Sequence, residues 1–185
     1  MQDPLALHFG STNPSLGFNH DHGTAEYNAT PLQGALFNSL ATNTIPLISE
    51  YSDALNYIKF IENGMDKYYN RVLSVFNSGY NSGASYPNTD LGRQLKTVAR
   101  MLKGGSKTKI FQTTLYGFDT HVSQVENGAT HTGVHSTLLN NVSSSISSFM
   151  SDINALGLED RVMVVSFSEF GRKAAQNGSY GTDHG

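Results

Sequence analysis

The sequence predicts an α/β protein, a partly parallel sheet flanked by helices. Two observations lead there. Apolar runs rich in β-formers, at 109–115 and 161–167, bracket a segment whose apolar residues recur every three or four positions. Strand, long helix and strand in that order make a βαβ unit, with a right-handed crossover and parallel strands.

The chain reads as a single, partial α/β domain over 1–185, in three stretches: 1–45, 46–105 and 106–185. The first is loop-rich, because Gly, Asn, Pro and Ser recur too often for long elements. Leu5, Ala6, Leu7, His8 and Phe9 can form a short strand there. Pro46 opens a helical segment in which Ile48, Tyr51, Leu55, Ile58 and Ile61 share one face. Asn63-Gly64 kinks or ends it, and Tyr68, Val72, Val75 and Phe76 continue the stripe to Ser78-Gly79. Residues 81–88 have linker composition. Thr89 can cap the next helix, whose apolar side holds Leu91, Leu95, Val98 and Leu102, and Gly104-Gly105 stops it.

In the third stretch, 109–115 is the first strand of the βαβ unit. Over 131–156, Val134, Leu138, Val142, Ile146, Phe149, Ile153 and Leu156 keep the helical step, and Gly157 ends it. The nearly continuous apolar run 161–167 suits a strand buried on both faces. Open parallel sheets bind ligands outside the carboxyl ends of their strands. Both strands lead into polar segments, 117–121 and 168–172, so their acids and histidines should meet at one edge, with Glu169 within about 10 Å of Asp119 and His121.

Composition narrows the function. The net charge of −3 gives no basic footprint for nucleic acid. No apolar run approaches the roughly 20 residues of a transmembrane helix. The absence of cysteine excludes disulfides, thiolate metal sites and cysteine nucleophiles. No Gly-rich phosphate loop is present. Asn-x-Ser/Thr triplets at Asn28, Asn141 and Asn177 occur at chance frequency and carry no weight.

Asp119 and His121 are two apart, so in an extended segment they project to one side and can grip a divalent cation together. The bland alternative is a turn-capping Asp beside a solvated His. Glu169 follows the apolar run directly, where a carboxylate needs a partner. A metal ion or Arg172 can each supply it. Asp183-His184 follows a Gly-rich loop. The group His20-Asp21-His22 and the pair His131 and His135, one helical turn apart, have similar donors but read more simply as solvated residues.

Taken together, Gly117-Phe118-Asp119-Thr120-His121, a long helix, the segment from Val164 to Arg172, and Gly181-Thr182-Asp183-His184-Gly185 resemble the DUF1501 family over about 88–185. That family is similar to the alkaline phosphatase/sulfatase superfamily, where a sheet edge carries two metal ions and a Ser or Thr nucleophile. The resemblance implies metal ligation by Asp119, His121, Glu169, Asp183 and His184, and an anion-clamping, catalytic role for Arg172. Phe170 stands where the superfamily has a second-site histidine, which places the second metal in doubt. An alternative alignment makes Asp183-His184 that Asp-His pair. Mixed nitrogen and oxygen donors suit Zn²⁺ or Mn²⁺, bound by neutral imidazole, so affinity should fall on acidification.

The implied activity is hydrolysis of small phosphate or sulfate esters. The alternative is a non-catalytic exported protein that keeps the fold for binding or surface assembly. Family members often carry a twin-arginine signal, implying a periplasmic or extracellular site. Neither that signal nor the family's early Asp and nucleophile segment is in this sequence. The chain is therefore expected to be a fragment, without appreciable hydrolase activity alone.

Overall fold

The computed structural model describes residues 6–9, 70–126 and 129–185, with only the backbone described at 6–9. The elements are β1 (Ala6–Phe9), a helix over 70–78 (α1), α2 (Asp90–Lys103), β2 (Ile110–Thr113), α3 (Val134–Ala155) and a short 3-10 helix (Glu159–Arg161). β1 and β2 form a two-stranded sheet. The expected apolar stripe of 46–69 and the group His20-Asp21-His22 lie outside the described residues.

Two compact units divide the chain: 1–80 with 100–112, and 81–99 with 113–185. In the first, Val72, Val75, Phe76 and Met101 are buried. Glycine allows two backbones to approach here. A Cβ on Gly79 would collide with the carbonyl of Arg100, and one on Gly104 with the carbonyl of Val75. The Arg100 guanidinium lies 3.9 Å from the Phe76 ring centroid and donates from Nε to the carbonyls of Phe76 (2.9 Å) and Gly79 (3.1 Å).

In the second unit, Leu91, Leu95, Val98 and Ala99 of α2 are buried, as are Phe149 and Ile153 of α3 and Leu156 just beyond it. These are mostly the positions that the three-to-four step selects; the expected Leu102 is only half-buried. Thr89 caps α2 as its sequence suggests, with Oγ1 accepting from Gly92 N at 3.2 Å. Both long helices end in the Schellman pattern. Ser106 N donates to Met101 O (3.1 Å) beyond Gly105 (φ 83°), and Leu158 N to Ile153 O (3.0 Å) beyond Gly157 (φ 69°). The Gln94 amide behaves like a strand neighbour, receiving Thr114 N at 2.9 Å and donating to Thr114 O at 3.0 Å.

Asp152 has zero exposure on α3, yet it is fully engaged. It accepts from Ser82 N (2.7 Å), Asn81 Nδ2 (2.8 Å) and Tyr86 Oη (2.8 Å). Burial pushes this carboxyl up, but the hydrogen bonds from Ser82, Asn81 and Tyr86 outweigh it and hold the group below the usual range. Burial and the neighbouring carboxylate raise the Tyr86 phenol strongly. The linker 81–88 is thereby tied to α3 by one buried charge.

One expected strand is not formed. Glu159–Arg161 is a 3-10 turn and 162–168 carries no ladder, although Val162 itself is extended (φ −124°, ψ 125°). Met163, Val165 and Phe167 are 86%, 67% and 80% exposed, so the run is not buried on either face. Apolar β-formers supply propensity, but a strand also needs a neighbour for its N–H and C=O groups, and none pairs with 163–167 among the described residues. The parallel βαβ unit is therefore absent among the described residues, and the first of its strands is the shorter β2.

Candidate metal centre

The loop after β2 presents Phe118, Asp119, Thr120 and His121, and its geometry is set by a second loop, 177–185, laid against it. Gly181 permits the contact, because a Cβ there would collide with the carbonyl of His121. Thr182 N donates to Thr120 O at 3.4 Å, and Gln124 N to Tyr180 O at 2.8 Å. The Gln124 side-chain oxygen accepts from both Thr120 Oγ1 (3.0 Å) and Thr182 Oγ1 (2.8 Å). Asn177 folds the second loop: its oxygen accepts from Ser179 N (2.9 Å) and Gly181 N (3.0 Å), and its Nδ2 donates to His121 O (2.8 Å) and Asp183 Oδ1 (3.2 Å). An isolated antiparallel bridge joins Arg172 to His184, flanked by Lys173 N to Asp183 O (2.9 Å) and Gly185 N to Gly171 O (3.0 Å).

These constraints bring Asp119, His121 and His184 together, with one ligand atom of each inside 4.8 Å of the others. Asp119 Oδ1 lies 3.0 Å from His121 Nε2 and 2.8 Å from His184 Nε2. Donors about 2 Å from one ion lie within about 4 Å of each other, so both separations fit a shared cation. The hydrogen bond with His184, followed by the charges of His121, His184 and Arg172, lowers the Asp119 carboxyl pKa against the opposing effect of burial. The carboxylate is thus held ionised, the form that binds metal. All three side chains keep substantial exposure, so the cluster is open to solvent.

Asp183 stands behind this group. Its Oδ1 is 3.4 Å from His121 Nδ1, while His121 Nε2 faces Asp119. Its carboxyl is lowered by Asn177 first and then by His121. A carboxylate at the far nitrogen of a metal-binding imidazole fixes its tautomer and ring orientation, and Asp183 lies in that position, outside the group of three. Phe170 stacks on His184, with centroids 3.9 Å apart at 17°, and buttresses the ring from one side. Glu169 is exposed, is not in the cluster, and has no hydrogen bond or ion pair among the described residues. His131 is exposed, and His135 packs edge-on against Phe118 instead (centroids 6.0 Å apart).

Sequence reasoning singled out Asp119, His121 and His184 but missed the groups that orient them, Asn177, Gln124 and Phe170. Asn177-Gly178-Ser179 carried a usable signal, since Asn before Gly favours a side-chain-closed turn. Gln124 reaches Thr182, and Phe170 reaches His184, through contacts between separate segments.

A family model described as a protein of unknown function, DUF1501, matches residues 78–185. The chain belongs to the DUF1501 family. No curated protein and no solved structure matches it. The matched DUF1501 region contains α2, α3 and every residue of the cluster. No described helix is long and apolar enough to cross a membrane.

Proposed function

We propose that this DUF1501 protein binds a divalent cation, Zn²⁺ or Mn²⁺, through Asp119, His121 and His184, as part of a metal-dependent phosphate- or sulfate-ester hydrolase. The observation that carries the reading is the convergence of one carboxylate oxygen and two imidazole Nε2 atoms from segments 63 residues apart (184 − 121). A carboxylate behind His121 supports it, because an imidazole so held is pre-oriented for a cation. The donor set, two nitrogens and one oxygen, favours Zn²⁺ or Mn²⁺ over Mg²⁺ or Ca²⁺. Bound there, the ion supplies Lewis acidity toward an ester oxygen.

Under the same proposal the fold is alkaline phosphatase-like and the protein is exported. Within the chain, Asp119, His121 and His184 hold the cation, Asp183 keeps the His121 tautomer, and the open face admits an anionic ester. Thr120 is buried and the Thr182 hydroxyl is held by both Gln124 and Arg172, so neither is presented to a bound ester as a nucleophile. This favours, as a second reading, binding without turnover by the chain alone.

Titration calorimetry with Zn²⁺ and Mn²⁺ tests the site on the wild type, His121→Ala and His184→Ala. One ion per chain is expected, with affinity lost in both variants. Equal metal content in all three rules the site out. Aryl phosphate and aryl sulfate turnover by the metal-loaded chain separates the two readings: turnover that is lost on Asp119→Ala supports the first.

A further inference from the structure

Arg172 differs from the other charged groups around the cluster in being largely covered, with a side-chain exposure of 15%. Its Nε donates to Phe118 O at 3.2 Å. Nη2 donates to the same carbonyl at 2.6 Å and to Asp119 Oδ1 at 3.0 Å. Nη1 donates to the carbonyl of Thr182 and to Thr182 Oγ1 at 3.2 Å. All three guanidinium nitrogens are therefore committed, and their acceptors lie on the two loops that carry the cluster. The backbone of the same residue forms the bridge to His184.

We infer that Arg172 is a positioning residue that assembles the Asp119–His121–His184 centre by cross-linking loop 117–121 to loop 177–185, rather than a clamp on a substrate anion. The inference rests on the metal-binding reading for its functional meaning. A guanidinium can do this because its planar fork addresses several acceptors in fixed directions. A lysine ammonium carries the same charge but cannot span the Phe118 and Thr182 carbonyls in the same way. An anion reaching Arg172 would have to displace bonds that order the ligands themselves.

The sign of one effect separates the alternatives. A cation beside Asp119 repels a metal ion and competes for the same oxygen, so charge alone predicts tighter binding when Arg172 is removed. Positioning predicts weaker binding, on the order of 10- to 100-fold as for other groups that orient ligands. An anion clamp predicts unchanged metal affinity but loss of inorganic phosphate binding to the metal-loaded protein.

The test compares the wild-type chain with Arg172→Met and Arg172→Lys. The readouts are Zn²⁺ affinity by calorimetry, the visible absorption of the Co²⁺ form, phosphate binding to the Zn²⁺ form, and amide exchange at Lys173 and Gly185. Positioning gives at least tenfold weaker Zn²⁺ binding and an altered Co²⁺ spectrum in Arg172→Met, with partial recovery in Arg172→Lys. Unchanged or tighter Zn²⁺ binding in Arg172→Met overturns it. If Arg172→Met does not fold, Arg172→Lys decides, because wild-type affinity there means that charge suffices. Should the wild type bind no metal, the proposed function fails and amide exchange decides this inference separately. Faster exchange at Lys173 and Gly185 in the variants supports the cross-link, and unchanged exchange overturns it.

Discussion

A single buried carboxylate joins the linker 81–88 to α3. Asp152→Ala leaves the Tyr86 hydroxyl and the Ser82 N–H without their acceptor and the Asn81 amide with only the Lys96 carbonyl, so a loss of about 3 kcal/mol is expected in urea denaturation. The pH dependence follows from the direction of the shift. The folded carboxyl lies below its unfolded value, so its stabilisation is fully present above an unfolded pKa of about 3.9 and disappears as pH falls through the folded value. The stability gap between the wild type and Asp152→Ala should therefore narrow below about pH 4. A gap that stays constant into stronger acid would show that this carboxylate is not the linked group.

Gly181 and Gly178 offer a matched pair in the loop that delivers His184. A Cβ at Gly181 meets the backbone of His121 and Thr120, whereas nothing lies within 4 Å of one at Gly178. Gly181→Ala should push the two loops apart and weaken Zn²⁺ binding about tenfold or more, as loss of ligand orientation does. Gly178→Ala should leave it unchanged. Calorimetry on both variants checks this, and equal affinities would count against the loop contact as the organiser of the site.

Among the elements, α1 and α2 approach through Gly79 and Gly104, where backbone meets backbone. Neither clash can be relieved by rotating a side chain. Gly79→Ala and Gly104→Ala should each cost about 1–3 kcal/mol, the range for forced overpacking, read as a lower denaturant midpoint. Gly83→Ala is a different case: its space is open, but its φ of 96° is unfavourable to alanine. Its cost should appear without any packing partner. The elements themselves were largely legible. Periodicity located α2 and α3, and Gly105 and Gly157 marked the left-handed residues that close them. β2 was anticipated longer than it is, because strand propensity does not define where pairing stops.

In the molecule as a whole, the run 162–167 joins β-branched and aromatic residues without a charge, and its side chains lie in solvent at Met163, Val165 and Phe167. Segments of this composition with free backbone groups favour intermolecular pairing. Val165→Lys removes that tendency from a site with little packing to lose. Its expected effect is a stability change within about 0.5 kcal/mol and reduced concentration-dependent light scattering. A large stability loss would instead mean that Val165 is covered in solution.

What the sequence by itself determined is local: the faces of α2 and α3, their caps and stops, and the residue types able to ligate a cation. Those properties depend on spacings of two to four residues and on backbone preferences at single glycines. It also carried the family resemblance, because the motifs from Gly117 to Gly185 keep their order. Only the tertiary structure decided that His184 faces Asp119, that Asp183 stands behind His121, and that Glu169 remains outside. It likewise left 162–167 unpaired among the described residues, where propensity had favoured a buried strand. The physical reason is common to these cases: hydrogen-bond partners and ligand convergence depend on contacts between segments distant in sequence, which Gly181, Asn177 and Arg172 create here and which no local spacing encodes.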